Sequence, residues 1–295
     1  MRQEIFSSTG KHLVVVADDF GRSSSINRAI ADAHDRGIVT AASLMAVGEA
    51  FEEAVLMARE RRALSVGLHV TLCDGSSLLP HSLIPELVSV DGHFEKKPAK
   101  AWMKIRPSLL QQIEQEIKVQ FNRIEESGIR PTHIDGHHHL HMHPLVFKIL
   151  CRQASERGIR WVRIPKEPLP LILALRSRSR GIVPFLEWSV FGMLSAYNRA
   201  LARRYGLLIA RRTYGLSATG SLNEERLLEI LNCLVISVNE LFSHPDMSTE
   251  SGVRELDALT SIRVRERLAS LGVDLAGYRE LSEGATNRRS VWGRV

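Results

Sequence analysis

The chain has 295 residues, 44% of them hydrophobic and 24% charged, and 39 Lys and Arg against 33 Asp and Glu give it a formal charge of +6. That length can bury one large core, and so ordinary a composition excludes a disordered chain. Aromatics make up only 6% and are not interleaved with the basic residues, which argues against the stacking platforms of single-strand nucleic-acid binders, so no nucleic-acid partner is expected.

Cys73, Cys151 and Cys233 are scattered without a C-x-x-C pair. Neither a disulfide framework nor a cysteine zinc cluster follows, and a reducing, cytoplasmic compartment fits. The short polar lead before residue 13 has no long apolar region, which argues against a cleaved secretion signal.

The elements alternate along the chain. The apolar run 13–17 reads as a strand buried on both faces, ending at Asp18 and Asp19. Ser25 is expected to cap a helix running to about residue 36, stopped by Gly37. A strand at 40–45, a helix at 51–61, a strand at 65–72 carrying His69, and a long amphipathic helix at 108–126 follow. A strand at 132–136 leads into the histidine-rich run 133–143. Pro144 starts a helix to about 157, 160–164 is a strand, and 165–220 reads as an irregular apolar and basic insertion. A helix near 223–234, a strand at 238–242, a helix at 253–271 and a closing segment at 274–279 complete the pattern.

Such alternation predicts a parallel sheet covered by helices. Reactive residues at successive strand ends favour an α/β, (β/α) barrel-like fold related to the TIM barrel, with residues 1–295 as one elaborated domain.

The chemistry concentrates in three separated runs: Asp18 and Asp19, then His69 behind Gly67, then His133, Asp135, His137, His138, His139, His141 and His143. Mixed carboxylate and imidazole donors suit one divalent ion with open coordination positions better than a closed structural site. Zinc, manganese, iron and magnesium all fit such a donor set. In an extended chain the odd positions of 133–143 share one face, but neighbours on that face lie roughly 6.6 Å apart, so only one or two can reach a single ion. Asp18 and Asp19 divide naturally into a ligand and a proton acceptor. Gly67 leaves room for a close approach beside His69. The isolated His12, His34, His81 and His93 are assigned to structure or surface.

These stretches resemble the YdjC-like carbohydrate deacetylases. The likeness rests on residues 17–23 with Asn27, on 37–40 with Ser43, on 67–69, on 131–135 and the histidines after it, on Arg163, and on 243–245. It implies a barrel-like α/β fold and metal-dependent removal of acetyl from an N-acetylated sugar. It places the metal on Asp19, His69 and His137, makes Asp18 the general base and His244 a general acid or polarising group, and sets Arg163 near the substrate. His139 is added as a second substrate-facing residue.

The 165–220 stretch is longer and more apolar than a soluble-sugar enzyme needs and looks like the hopanoid-associated branch, which implies a lipid-linked amino sugar. Its apolar and basic character also fits peripheral contact with an anionic membrane. The oligomeric state stays open, a homodimer included. Two other readings compete: a metal-dependent phosphoesterase, and a non-catalytic glycan- or membrane-binding protein with a structural ion.

Overall fold

The computed structural model describes residues 10–175 and 183–283, the side chains of 183–191 excepted. The basic cluster at 176–180 and most of the apolar run 182–194 lie outside the described residues. Strands and helices follow in the order β1 (Lys11–Phe20), α1 (Ser24–Asp35), β2 (Ala41–Leu44), α2 (Phe51–Glu60), β3 (Ser65–Val70), α3 (Pro98–Lys104), α4 (Leu110–Glu126), β4 (His133–Gly136), α5 (Pro144–Glu156), β5 (Trp161–Val162), α6 (Leu169–Leu175), α7 (Val183–Arg204), β6 (Arg212–Tyr214), α8 (Glu224–Asn232), β7 (Ser237–Ser243), α9 (Glu250–Thr260), α10 (Ile262–Ser270) and β8 (Val273–Leu275).

All named strand pairings are parallel, in the order β5-β4-β3-β2-β1-β7-β6. The sheet curls into a barrel, as expected from the alternation. Its two ends meet through a segment preceding β6: Val162 N–H donates to Leu208 O at 3.0 Å and Leu208 N–H to Arg160 O at 2.6 Å. The ring differs from a closed eight-strand barrel because β8 joins the first residues of β1, at Lys11–Leu13, while β2 holds the later ones from Val16 to Phe20.

Side-chain alternation divides β1 between two cores. Leu13, Val15 and Ala17 pack among residues of the surrounding helices. Val14 and Val16 join Ala41, Trp161, Val238, Phe242 and Tyr278 in a smaller cluster inside the curl. That inner space also receives Asp18, His133, Asp135, Arg163 and Glu240, each at most 1% exposed.

Three local expectations are corrected. The cap of α1 is Ser23, whose hydroxyl accepts from Ile26 N–H. Ser25 lies inside the helix and instead donates to Asp246 Oδ1 at 2.7 Å, tying α1 to the loop after β7. The 165–220 stretch is not irregular in its described part, since it carries α6, α7 and β6. The predicted helix at 253–271 is two helices, because extended Ser261 ends α9 and caps α10 by accepting from Val264 N–H. Among the described residues no helix is long and apolar enough to cross a membrane.

Candidate active site at the carboxyl ends of the strands

β1 ends in an irregularity. Its register with β2 shifts between Ala17 and Phe20, and Asp19 adopts φ +64°. A regular strand would send consecutive side chains to opposite faces; a bulge with a left-handed residue re-aims the second one. Asp18 and Asp19 thus both serve the mouth of the curl. Gly21 N–H donates to Asn27 Oδ1 at 2.7 Å and fixes the turn beyond them.

A second irregularity follows β4. The histidine run is not extended past Gly136: residues His137–Met142 form a tight 3-10 turn kinked at His138 and His139, which have φ +50° and +56°. Expected face-sharing among the odd positions therefore stops at Asp135. Asp19, Asp74, His138 and His139 are the described non-glycine residues that adopt left-handed backbone, and side chains of Asp19, Asp74 and His138 enter the acid-histidine groupings at this end of the sheet. Strained backbone of this kind gathers at functional sites.

The structure brings Asp19, His69 and His137 together, with one ligand atom of each within 4.8 Å of the others. His137 Nδ1 is 2.8 Å and His69 Nε2 3.3 Å from Asp19 Oδ1. Yet Asp19 Oδ1 is buried and has no partner in hydrogen-bonding geometry. Close donors whose lone pairs do not aim at one another fit a shared ion, so this oxygen and two imidazoles suit a divalent metal. Burial works against the Asp19 charge, but His137 and His69 hold its carboxyl well below the usual range.

Two further groupings exist. Asp18, His69 and Asp135 also lie close, but Arg163 occupies both carboxylates there, at 2.6 Å to Asp18 Oδ2 and 2.8 Å to Asp135 Oδ2. Asp74, His137 and His138 form the other group, where Arg22 Nη2 already donates to Asp74 Oδ2 at 2.9 Å. Among the described residues, only the first group holds a buried carboxylate oxygen without a hydrogen-bond partner, Asp19 Oδ1.

Behind Asp19, His69 and His137 lies a charge network. His69 Nδ1–H donates to Asp135 Oδ1 at 2.7 Å, which leaves Nε2 free toward Asp19. Ser43 Oγ donates to Asp135 Oδ2 at 2.7 Å. Burial alone would raise the Asp135 carboxyl, but Arg163 and His69 hold it well below the usual range. Arg163 forks onto Asp18, Nη1 to Oδ2 at 2.6 Å and Nη2 to Oδ1 at 2.9 Å, and its Nε donates to Glu240. Asp18, Asp19, Asp135 and Glu240 are all buried with Arg163 as the cation among them. With His69 neutral, as a metal ligand must be, a divalent ion would offset the remaining negative charge, which is a second point of fit.

Arg163 is therefore placed beneath Asp18, 1% exposed and committed to three carboxylates, rather than at a face open to a ligand. His139 is half-buried, its ring edge-on to Phe242 at 4.9 Å and its Nδ1 buried without a partner. His244 stands at the end of β7 with Nε2 3.8 Å from Asp18 Oδ2 and a third of its side chain exposed. Gly67 has a different use from the one expected: a Cβ there would lie 2.5 Å from His133 Nδ1, so the space admits His133 and not an incoming ligand.

Sequence reasoning missed Arg22, Asp74 and Glu240. Arg22 Nη1 donates to Asp19 Oδ2 at 3.3 Å and lies 3.1 Å from His137 Nε2, so it bridges Asp19 and His137 at the rim. It stood in the quoted motif without a role, whereas Asp74 sits in a loop with no local signal. Glu240 was hidden in a strand among Val238, Leu241 and Phe242, although a carboxylate on an inward position signals a partner.

The fold and the site together define a class: an α/β protein with a curled parallel sheet and an Asp-His-His cluster at its carboxyl end. The chain belongs to the YdjC-like protein family, whose model matches residues 12–270. It is 38% identical over 144 residues to a carbohydrate deacetylase of Brevibacillus brevis, covering 49% of this chain and 56% of that one. It is also 38% identical over 159 residues to a carbohydrate deacetylase of Geobacillus stearothermophilus, covering 54% and 60%. The matches thus span little more than half the length of these relatives. A crystal structure of a candidate cellobiose-phosphate cleavage protein from Enterococcus faecalis V583 superposes with a TM-score of 0.74 at 25% identity, covering 92% of this chain and 99% of that one.

Proposed function

We propose that the chain is a metal-dependent carbohydrate N-deacetylase acting on an N-acetylated amino sugar. The observation that carries this is the side-by-side placement of a free ligand set, Asp19, His69 and His137, and an acid-base pair, Asp18 and His244, whose Nε2 and Oδ2 are 3.8 Å apart. The 38% identity to two carbohydrate deacetylases supports the same chemistry.

An acetamide is a poor electrophile, so hydrolysis needs an activated water, a stabilised oxyanion and a proton for the departing amine. A divalent ion held by Asp19, His69 and His137 would polarise water and the acyl oxygen. Asp18 accepts the proton of the attacking water. Arg163, forked onto both Asp18 oxygens, fixes that carboxylate in place, and Asp135, Asp18 and Glu240 keep the buried guanidinium charged against its burial. His244 donates to the amine as the C–N bond breaks, leaving acetate and a free amino sugar. His139 and Phe242 form a wall beside it.

For the finer substrate class we favour a lipid-linked amino sugar of hopanoid type. Leu173 on α6 and Met193 and Tyr197 on α7 are 56%, 68% and 53% exposed, large apolar side chains open to solvent within the 165–220 stretch. Such side chains suit peripheral contact with a membrane from the cytoplasmic side. Acetate release should be measured from soluble chitooligosaccharides and from an N-acetylglucosaminyl lipid, with and without chelator. Release abolished by chelator supports the metal-dependent reaction, and release from the lipid alone supports the lipid-linked class. Absence of acetate from every N-acetylated sugar, with phosphate freed from model esters, would replace the deacetylase reading with a phosphoesterase.

A further inference from the structure

At the opposite end of the sheet from the site, the end of α2, the residues that precede β3 and β4 and those that follow β8 surround a concavity of about 470 Å³. Arg59, Arg62, Arg130 and Arg279 line it together with Leu64 and Ile129, and no Asp or Glu does. The volume falls within the roughly 300–1,000 Å³ of small-molecule sites. From Leu64 to His69 the chain advances about 16 Å along the strand, so the two ends are separate places.

A ring of arginines on a surface is ordinarily neutralised by neighbouring acids, and the nearby chain does so. Arg61, between Arg59 and Arg62 in this region, pairs with Asp35 at 2.7 Å and with Glu60 at 3.5 Å. Arg123 pairs with Glu52 and Arg157 with Glu125. The arginines of the concavity are different: among the described residues none has a carboxylate within ion-pair distance. Two are nevertheless held in place by backbone. Arg59 Nη2 donates to Ser127 O at 2.7 Å, and Arg279 Nη1 donates to Arg62 O at 2.7 Å. Each contact spends one guanidinium nitrogen and leaves others free, with part of the side-chain entropy already surrendered.

We infer that this concavity is a second ligand site, for a small phosphorylated molecule whose anionic groups meet Arg59, Arg62, Arg130 and Arg279 and whose less polar portion rests on Leu64 and Ile129. The planar guanidinium fork matches phosphate oxygens two at a time, which a lysine ring would not do. The positive charge of the whole chain, +6, adds long-range attraction for the same ligand. The site is independent of the deacetylase reading and stands or falls without it.

The test is calorimetric titration of the intact chain with tripolyphosphate at low and moderate salt, in excess chelator so that no metal at the catalytic end captures the anion. One molecule per chain is expected to bind, with affinity falling as salt rises. The double variant Arg62→Glu with Arg130→Glu should weaken binding at least tenfold; Arg62→Gln with Arg130→Gln, which removes charge without reversing it, should weaken it to a lesser but clear extent and guards against a folding defect. No binding by the wild type, or wild-type affinity in both double variants, overturns the site. Vesicles of phosphatidylcholine with phosphatidylglycerol separate the sources: arginine-dependent binding to vesicles with none to tripolyphosphate also overturns it, because a flat membrane contact needs no concavity.

Discussion

Asp135 and His69 form a buried pair in which the imidazole Nδ1–H donates to carboxylate Oδ1 at 2.7 Å and Nε2 is turned toward Asp19. This contact selects the tautomer that offers Nε2 as a ligand. Asp135→Asn can still accept from Nδ1–H but loses the charge that makes the ring basic. Metal affinity should fall about 10–100-fold, read by titration against a competing chelator. Unchanged affinity would separate Asp135 from ligand orientation.

The same pair predicts a proton count. Burial works against charge on His69, yet Asp135, with Asp18 and Asp19, pushes the metal-free ring up to about 10. At neutral pH the ring is then protonated, and a ligand must be neutral. Metal loading should therefore release protons, seen as a dependence of the binding heat on buffer ionisation enthalpy, and affinity should rise with pH toward about 10. In metal-free protein His69 stabilises the fold below its unfolded value of 6.5, and this contribution is lost as pH rises from 6.5 to about 10.

Asp18→Asn keeps an acceptor for Arg163 but removes a base. The variant should retain its fold and bind metal, while kcat falls by about 10²–10⁴. Steady-state acetate release beside a metal titration separates these outcomes, and wild-type turnover would remove Asp18 from the proton transfer.

Arg163→Met leaves Asp18, Asp135 and Glu240 buried around an uncharged chain. Breaking a buried ionic network by removing one partner costs about 3–5 kcal/mol. Denaturant unfolding should show that loss in the metal-free protein, with partial recovery on lowering the pH, since burial already raises Glu240 toward its neutral form. A stability change near zero would make the network dispensable.

His133 carries the opposite pH signature from His69. Burial chiefly, and also Arg163 and His69, push its ring down to about 3, against the attraction of Asp135. The unfolded chain takes up a proton near pH 6.5 that the native ring refuses, so stability is full above 6.5 and falls as pH drops from 6.5 toward about 3. The slope is on the order of 1.4 kcal/mol per pH unit for one such group. Replacing His133 by Asn, which keeps a polar contact to Ser43, should flatten this limb of the pH-stability curve.

Much of the fold was legible because its signals are local. The apolar run before Asp18 and the helical periods after it need only neighbouring residues, and β1, α1, β2, α2, β3 and α4 appear close to their expected bounds. Errors fell where a distant contact decides: Ser25 is drawn from capping to Asp246, |i−j| = 221, and α6, α7 and β6 replace an expected irregular stretch.

By itself the sequence determined that carboxylates and imidazoles end successive buried strands, and so that Asp19, His69 and His137 were candidates to meet. Alternation and apolar runs carry that information residue by residue. Only the tertiary structure decided how the others serve them. The left-handed bulge at Asp19 brings two consecutive acids to one mouth, the 3-10 turn takes His138 and His139 out of the strand pattern, and Arg163 is drawn under Asp18, |i−j| = 145. Backbone strain and buried charge pairing depend on what the rest of the chain presses against a residue, and no local pattern contains that.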